Sequence, residues 1–353
     1  MSAWAVVENN KPLQRFEQDP LEPSGTEVVL QVTHSGVCHS DLHFWKGYYD
    51  MGGGQRMLLA DRGVVLPRAP GHEIVGRVIK LGPLASEVKV GDVRIVFPWL
   101  GCGGCERCQA GDDNLCNQPK ALGVLQDGGY GDQVKVPHSK FLVDCSGIDP
   151  AYGATLACSG ITVYSAIRKL MPMRSDEPVV LFGAGGLGLA AIAMWRALDH
   201  RHIISVDISA DKRAAARAMG ATQVIDGQAP DLVARITEAA GGPVNAVMDF
   251  VNIGSTAQAG LECLTKNGKL ILVGVGGGQL TLSLAGLIFR PRGIQGSLTG
   301  NPQDLRTVAE LARSGKLKPI PVSVMPKHQI NDALMQLLEG RATGRIVLVD
   351  ETV

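Results

Sequence analysis

The sequence is short of several things, and each shortage removes a class of function. It carries no formal net charge, since 34 Lys and Arg residues balance 34 Asp and Glu, and no dense basic run occurs. Nothing therefore draws the chain over a distance to nucleic acid or to an anionic membrane surface. No apolar run approaches the roughly 20 residues that span a bilayer. The opening "MSAWAVVENNKP" lacks a basic stretch followed by an apolar core, so a cytoplasmic location is the expectation. Cysteine is scarce, 8 in 353 residues, far below the density of a disulfide scaffold. Aromatic residues make up only 5% of the chain, so a place where they gather carries information. The expected partner is a small molecule.

At 353 residues and 45% hydrophobic content, the chain is long enough to bury large cores and to divide into two domains. The first 150 residues read as short strands broken by glycine and proline, among them "SAWAVV", "TEVVLQVTHSG", "HEIVGRVIKLG" and "DVRIVF". From about residue 160 the pattern becomes regular. Apolar strands are expected at 178–182, 202–207, 222–226, 245–251, 269–275 and 293–297, with helical segments such as "LAAIAMWRALDH" and "DKRAAARAMG" between them. Near-continuous apolar strands separated by helices are what a parallel sheet covered on both faces requires. The fold class is therefore α/β, with a β-rich half and a doubly wound, six-stranded nucleotide-type domain. The tail, with helices near 302–314 and 330–339 and a last strand "GRIVLV", is expected to pack back onto the first half. The division becomes 1–160 with 298–353, and 161–297.

The strand "PVVLF" runs into Gly183, Ala184, Gly185, Gly186, Leu187 and Gly188 and then into a helix. That context gives the glycine fingerprint its meaning. Glycines permit a tight turn and let backbone N–H groups and the helix N-terminus approach a pyrophosphate. Nineteen residues after Gly188, Asp207 ends the second strand, where a carboxylate accepts both hydroxyls of an adenosine ribose and repels a 2′-phosphate. NAD is expected over NADP, although Lys212 and Arg213 temper the charge argument.

The stretch "GCGGCERCQAGDDNLC" holds Cys102, Cys105, Cys108 and Cys116 within sixteen residues. Four thiolates so close can close a tetrahedron around Zn²⁺ with no open position, the form of a structural site. An iron–sulfur cluster and free thiols in a loop are the alternatives, and the C-x3-C-P continuation typical of the former is missing. Other candidate groups are scattered: "GVCHSDLH", "APGHE" and "LACSGITVY". A lone cysteine such as Cys158 more often serves as a small buried apolar residue than as a ligand, and spacing alone does not join these segments.

Taken together, "GVCHSDLH", "PGHE", the four-cysteine lobe, "CSGITVY" and "GAGGLG" resemble, in order and in nearly all spacings, the zinc-dependent medium-chain alcohol dehydrogenases. The resemblance covers essentially the whole chain. It implies a GroES-like catalytic domain, a Rossmann domain binding NAD, and two Zn²⁺ per chain. It implies Cys38, His72 and Cys158 as catalytic zinc ligands, Glu73 as an acid beside the metal, and Asp41 as the carboxylate that orients His72. Three protein ligands leave the metal Lewis-acidic, able to lower the pKa of a bound hydroxyl. The Ser40 hydroxyl can accept the proton of an alcohol, and the resemblance implies a path onward to His43, a residue whose pKa suits loading and unloading near neutrality. It also implies Thr162 and Leu187 beside the nicotinamide, Lys212 on the adenosine ribose and Arg345 on the pyrophosphate. Members of the family are commonly homodimers or homotetramers.

One departure stands out. The 33 residues between Cys38 and His72 exceed the spacing of the compact microbial enzymes, and the surplus in "YYDMGGGQRMLLADRGVVLPRA" is expected to form a loop near the mouth of a substrate channel. Trp45, Tyr49 and Trp99 are pocket candidates by motif position. Three aromatics near one site suggest a bulky or aromatic alcohol. A polyol or hydroxyacyl dehydrogenase on the same scaffold is the nearest alternative, and a non-catalytic zinc or nucleotide-binding protein a more distant one.

Overall fold

A computed structural model describes residues 1–350. Six strands of the second half form one sheet in the order Gln223–Asp226, Ile203–Asp207, Val179–Phe182, Val244–Asp249, Leu264–Leu272 and Gly293–Gly296, and every neighbouring pair is parallel. Strands whose residues are apolar on both faces need helices on both sides, and the helices Gly186–Ala197, Ala210–Ala218, Leu232–Ala240 and Gly254–Cys263 supply them. Chain order reverses between Val179–Phe182 and Val244–Asp249. In such sheets the crevice at the reversal is where a nucleotide lies.

Two boundaries differ from the sequence pattern for local reasons. The fifth strand begins at Leu264 rather than near 269, because the helix Gly254–Cys263 runs straight into it and Leu264 pairs with Val244 before a register shift. It also ends at Leu272; Val273 and Gly274 leave the sheet and donate their N–H groups to the Asp249 carbonyl.

The other half is built on a seven-stranded sheet. Its path runs Val322–Pro326, Arg345–Val349, Val28–Val37, Glu73–Leu81, Val93–Val96 and Leu142–Asp144, with Gln133–Val136 also paired to Val28–Val37. The C-terminal strand lies antiparallel to Val28–Val37, Ile346 opposite Val37. The tail thus completes the sheet begun by the N-terminal half and brings Arg345, at the start of its strand, against Gly186 of the nucleotide domain.

This half is not only strands. The short helix His39–Lys46 follows directly from Val28–Val37. A helical run, Pro150–Thr155, Leu156–Gly160 and Ile161–Arg168, passes through the expected domain division at 160 without a break. Its middle turn is π-helical and contains Cys158, an irregularity that helices commonly show at functional sites.

The segment expected to be a loop is a β-hairpin, Tyr48–Gly52 paired antiparallel with Gln55–Leu58, followed by a short 3-10 turn at Ala60–Arg62. The alternation of Tyr48, Asp50 and Gly52 about a Gly-Gly turn satisfies a hairpin, and a loop reading of the glycines overlooked it. Its tip rests on the segment after the fifth nucleotide-domain strand: a Cβ on Gly52 would lie 2.3 Å from the Gly278 carbonyl oxygen, and one on Gly277 would lie 2.8 Å from the Asp50 Cβ. Glycine on both sides lets the two backbones meet.

Candidate active site and metal centres

In the cysteine lobe, chain proximity does most of the assembly. The sulfur atoms of Cys102, Cys105, Cys108 and Cys116 all lie within 4.8 Å of one another, with Cys105 Sγ 3.5 Å from Cys108 Sγ and 3.7 Å from Cys116 Sγ. Thiolates about 2.3 Å from one zinc at tetrahedral angles would sit about 3.8 Å apart, so the set fits that ion with no protein group to spare and no open corner. Backbone N–H groups of Gly104 and Cys105 pull the Cys102 thiol down to about 6, while burial pushes Cys108 up to about 12. A bound cation would offset that second cost. The lobe is pinned to the rest of the molecule by Lys140 on the buried Asp113 carboxylate at 3.2 Å and by Asn114, whose Nδ2 donates to the Leu298 carbonyl.

A second cluster assembles from distant segments. Cys38 Sγ, a His72 ring nitrogen, a Glu73 carboxylate oxygen and Cys158 Sγ lie within 4.8 Å of one another, and all four residues are buried. The two sulfurs are 3.9 Å apart. His72 Nε2 is buried without a hydrogen-bond partner, which costs about 1–3 kcal/mol unless something fills the gap. The Cys158 thiol pulls the Cys38 thiol well below its usual range, against burial, and the positive charges of Arg345 and His72 add to the effect. An imidazole nitrogen that a cation would deprotonate, a thiolate-prone cysteine and a second sulfur, gathered at one point, are the donor set of a zinc site that keeps one position open.

The scaffold behind these donors is a single buried carboxylate. Asp41 receives the Cys38 backbone N–H at 2.8 Å, the Gly71 N–H at 3.3 Å and the Tyr130 hydroxyl at 2.9 Å, and its Oδ1 lies 3.3 Å from His72 Nδ1. Burial alone would lower the His72 pKa; the Asp41 carboxylate more than reverses this and raises it well above the ordinary value. Held at Nδ1, the ring is made more basic and turns Nε2 toward the cysteines. Tyr130 and Gly71 escaped the sequence reading. Neither has a spacing signal, and only the fold brings "GGYGD" beneath "APGHE". At Gly71 a Cβ would lie 2.6 Å from the Tyr130 ring. At Gly36 a Cβ would lie 2.1 Å from Glu73 Oε2, so glycine there makes room for the acid.

Glu73 is fully buried, and burial pushes its carboxyl up to about 7 against the opposing pull of Arg345. Arg345 Nη1 is 3.1 Å from Glu73 Oε1, yet neither carboxylate oxygen has a hydrogen bond of good geometry. The guanidinium also touches the nucleotide domain: a Cβ on Gly186 would lie 2.6 Å from Arg345 Nε. One side chain therefore links the metal-type cluster to the first turn of the fingerprint helix.

That turn is shaped for a phosphate. Gly183 has φ of 91°, a backbone state in which other residues are strained. A Cβ on Gly188 would lie 1.9 Å from the Gly183 carbonyl oxygen, and nothing lies within 4 Å of the Cβ position at Gly185. The helix starts at Gly186 with no side chain capping it, which leaves its N–H groups to an anion. At the end of the next strand, Asp207 Oδ2 accepts the Ala184 N–H at 2.7 Å and Oδ1 accepts the Ser209 N–H at 2.9 Å. The carboxylate is thus fixed at the lip of the crevice.

Comparison with known proteins agrees with both halves. Residues 24–146 match the alcohol dehydrogenase GroES-like domain, and residues 186–314 match the zinc-binding dehydrogenase family. The chain is 36% identical over 353 residues to an NAD-dependent alcohol dehydrogenase of Sulfurisphaera tokodaii, covering 99% of this chain and 100% of that one. This chain belongs to the zinc-dependent medium-chain alcohol dehydrogenase family. A second family member, the NAD-dependent alcohol dehydrogenase of Saccharolobus solfataricus, is 36% identical over 99% of this chain and 100% of its own. Among solved structures, the alcohol dehydrogenase of Aeropyrum pernix superposes with a TM-score of 0.90 at 30% identity, covering 99% of this chain and 100% of that one.

Around this dehydrogenase centre, the remaining expected residues fall into two groups. The helix His39–Lys46 carries Ser40 and His43 away from Cys38. The Tyr49 ring, from the hairpin, stacks on His43 with centroids 4.7 Å apart, and its hydroxyl interacts with Ser40. Trp99 packs on His72 at 5.1 Å and donates its indole N–H to the Ala157 carbonyl, next to Cys158. Thr162 is buried one turn beyond Cys158, and Leu187 is half-buried in the fingerprint turn. Trp45 does not join them. Its indole donates to the Lys11 carbonyl at 2.6 Å on the outer surface, and its ring packs against a cluster that includes Val6, Leu13 and Leu334. Two residues along the helix, Trp45 lies about 200° around the axis from His43, on the opposite face.

Proposed function

We propose that the chain catalyses the reversible oxidation of a primary or secondary alcohol to an aldehyde or ketone, with NAD as hydride acceptor and zinc as Lewis acid. The observation that carries this is the buried, unpartnered His72 Nε2 facing Cys38, Cys158 and Glu73, joined through Arg345 to the fingerprint turn. When bound, zinc supplies the polarisation that makes an alcohol proton easy to remove, and the nicotinamide ring accepts the hydride. Cys38, His72 and Cys158 would hold the catalytic ion, and the four lobe cysteines the structural one. Ser40 takes the alcohol proton and His43 passes it to solvent, with Tyr49 and Asp41 holding the parts in register. Gly183, Gly185, Gly186 and Gly188 admit the pyrophosphate beside Arg345, Asp207 and Lys212 hold the adenosine ribose, and Thr162 and Leu187 face the nicotinamide.

The same proposal assigns residues 1–160 with 298–353 to the catalytic domain and 161–297 to the nucleotide domain, the helix through residue 160 serving both. Trp99 and Tyr49 support a preference for a bulky or aromatic alcohol. A cytoplasmic location is supported by eight cysteines that are all unpaired; no helix among the described residues is long and apolar enough to cross a membrane. A homo-oligomeric state is supported by the exposed Leu284, Ile288, Phe289 and Leu298, which flank the edge strand Gly293–Gly296. Placing Asp at Ile288 and Phe289 should lower the mass seen by light scattering.

The direct test is NADH formation across straight-chain, branched and benzylic alcohols, before and after chelation and zinc restoration. Activity lost on chelation and regained with zinc supports the proposal. Turnover indifferent to zinc contradicts it, and ethanol as the best substrate contradicts the preference for bulk.

A further inference from the structure

Asp207 and Asp226 end adjacent parallel strands and are register partners, so two carboxylates stand side by side at the lip of the nucleotide crevice. Arg213, from the following helix, lies against both strand ends. Its Nη1 donates to the Asp207 carbonyl at 2.8 Å and to the Ile208 carbonyl at 2.9 Å, and it lies 3.3 Å from Asp226 Oδ1. Like charges opposite one another on neighbouring strands are unfavourable, and the Arg213 ion pair with Asp226 offsets part of that. The same guanidinium, in contact with the backbone of Asp207, is also a group able to grip a phosphate in the bidentate way that arginine favours. Three acceptors already engage its Nη1.

We propose that Asp226 is a specificity-determining positioning residue: it holds Arg213 away from the ribose 2′ position, so that discrimination against a 2′-phosphorylated dinucleotide rests on two carboxylates and not on Asp207 alone. Asp207 would repel the phosphate directly, and Asp226 withholds the cation that could bind it. Selectivity of this kind combines attraction for one ligand with an obstacle to the other. The inference rests on the NAD reading above and deepens it.

The test is fluorescence titration of NADH and NADPH binding, which needs no turnover. It uses the wild-type protein and the variants Asp207→Ser, Asp226→Asn, the double variant, and the double variant carrying Arg213→Gln. Asp207→Ser should tighten NADPH binding. Adding Asp226→Asn should tighten it by about a further fivefold, the scale on which a half-exposed ion pair competes with a new partner, and Arg213→Gln should remove that second gain. Asp226→Ser serves in the same way if the Asn variant melts at a lower temperature. An Asp226 change that adds nothing on the Asp207→Ser background, or a gain that survives Arg213→Gln, would overturn the inference. Failure of the wild type to bind NADH would instead overturn the cofactor reading on which it rests.

Discussion

The two sulfur-rich clusters of this chain share cysteine donors and are built by opposite means. The lobe draws four thiols from positions 102 to 116, so a short loop with two tight turns brings them together. The other cluster draws on residues 38, 72 and 158, which come from a strand end, a strand start and a π-helical turn. It meets only because the seven-stranded sheet and the helix Pro150–Thr155 pack correctly. The lobe is saturated by its own sulfurs. The second cluster has one nitrogen and two sulfurs, a buried acid held back by Arg345, and a partnerless Nε2. A closed set gives stability and an open set gives chemistry.

Mutations should separate the two sharply. Cys158→Ser is expected to cost the most activity, more than about a hundredfold, because even residues that merely orient metal ligands cost about 10–100-fold when changed; NADH formation measures it. Asp41→Asn should come next, with a loss in that 10–100-fold range and weaker zinc retention during dialysis, since the amide cannot accept from both His72 and Tyr130 while also accepting from Cys38. Equal activity in Asp41→Asn would show that the four-donor arrangement is incidental. On the other side of the comparison, Cys105→Ser should lower the melting temperature and release the lobe's zinc, while the remaining folded protein keeps its turnover per catalytic zinc. A large fall in turnover at unchanged stability would erase the proposed division of labour.

The smallest effect concerns the proton path. Burial lowers the His43 pKa below its ordinary 6.5, with Lys46 and His39 adding to the shift. A histidine that must be neutral to take a proton then works above that lowered value, so kcat/KM should fall with acid only below pH 6.5. His43→Gln should cost a few-fold and flatten that acid limb; an unchanged limb would remove His43 from the path.

What the sequence made legible follows the same contrast. The lobe and the fingerprint turn are local, so spacing disclosed them: "CGGCERC" needs no fold to be a ligand set, and a strand followed by "GAGGLG" and a helix needs little more. Cys38, His72 and Cys158 could be joined only through resemblance to a family, because no spacing rule links positions 120 residues apart. Tyr130, Gly36 and Gly71 stayed hidden for a related reason, since each acts by fitting against a segment that the sheet alone brings near. The expected loop at 48–69 was read from its glycines without local geometry, and a Gly-Gly turn folds its first part into a hairpin.

Zinc per chain, measured together with turnover in the wild type and in Cys158→Ser, tests the central claim most directly. The account predicts two zinc ions per wild-type chain and one in the variant, with the melting temperature nearly kept and NADH formation lost. Two ions and full turnover in the variant would contradict it.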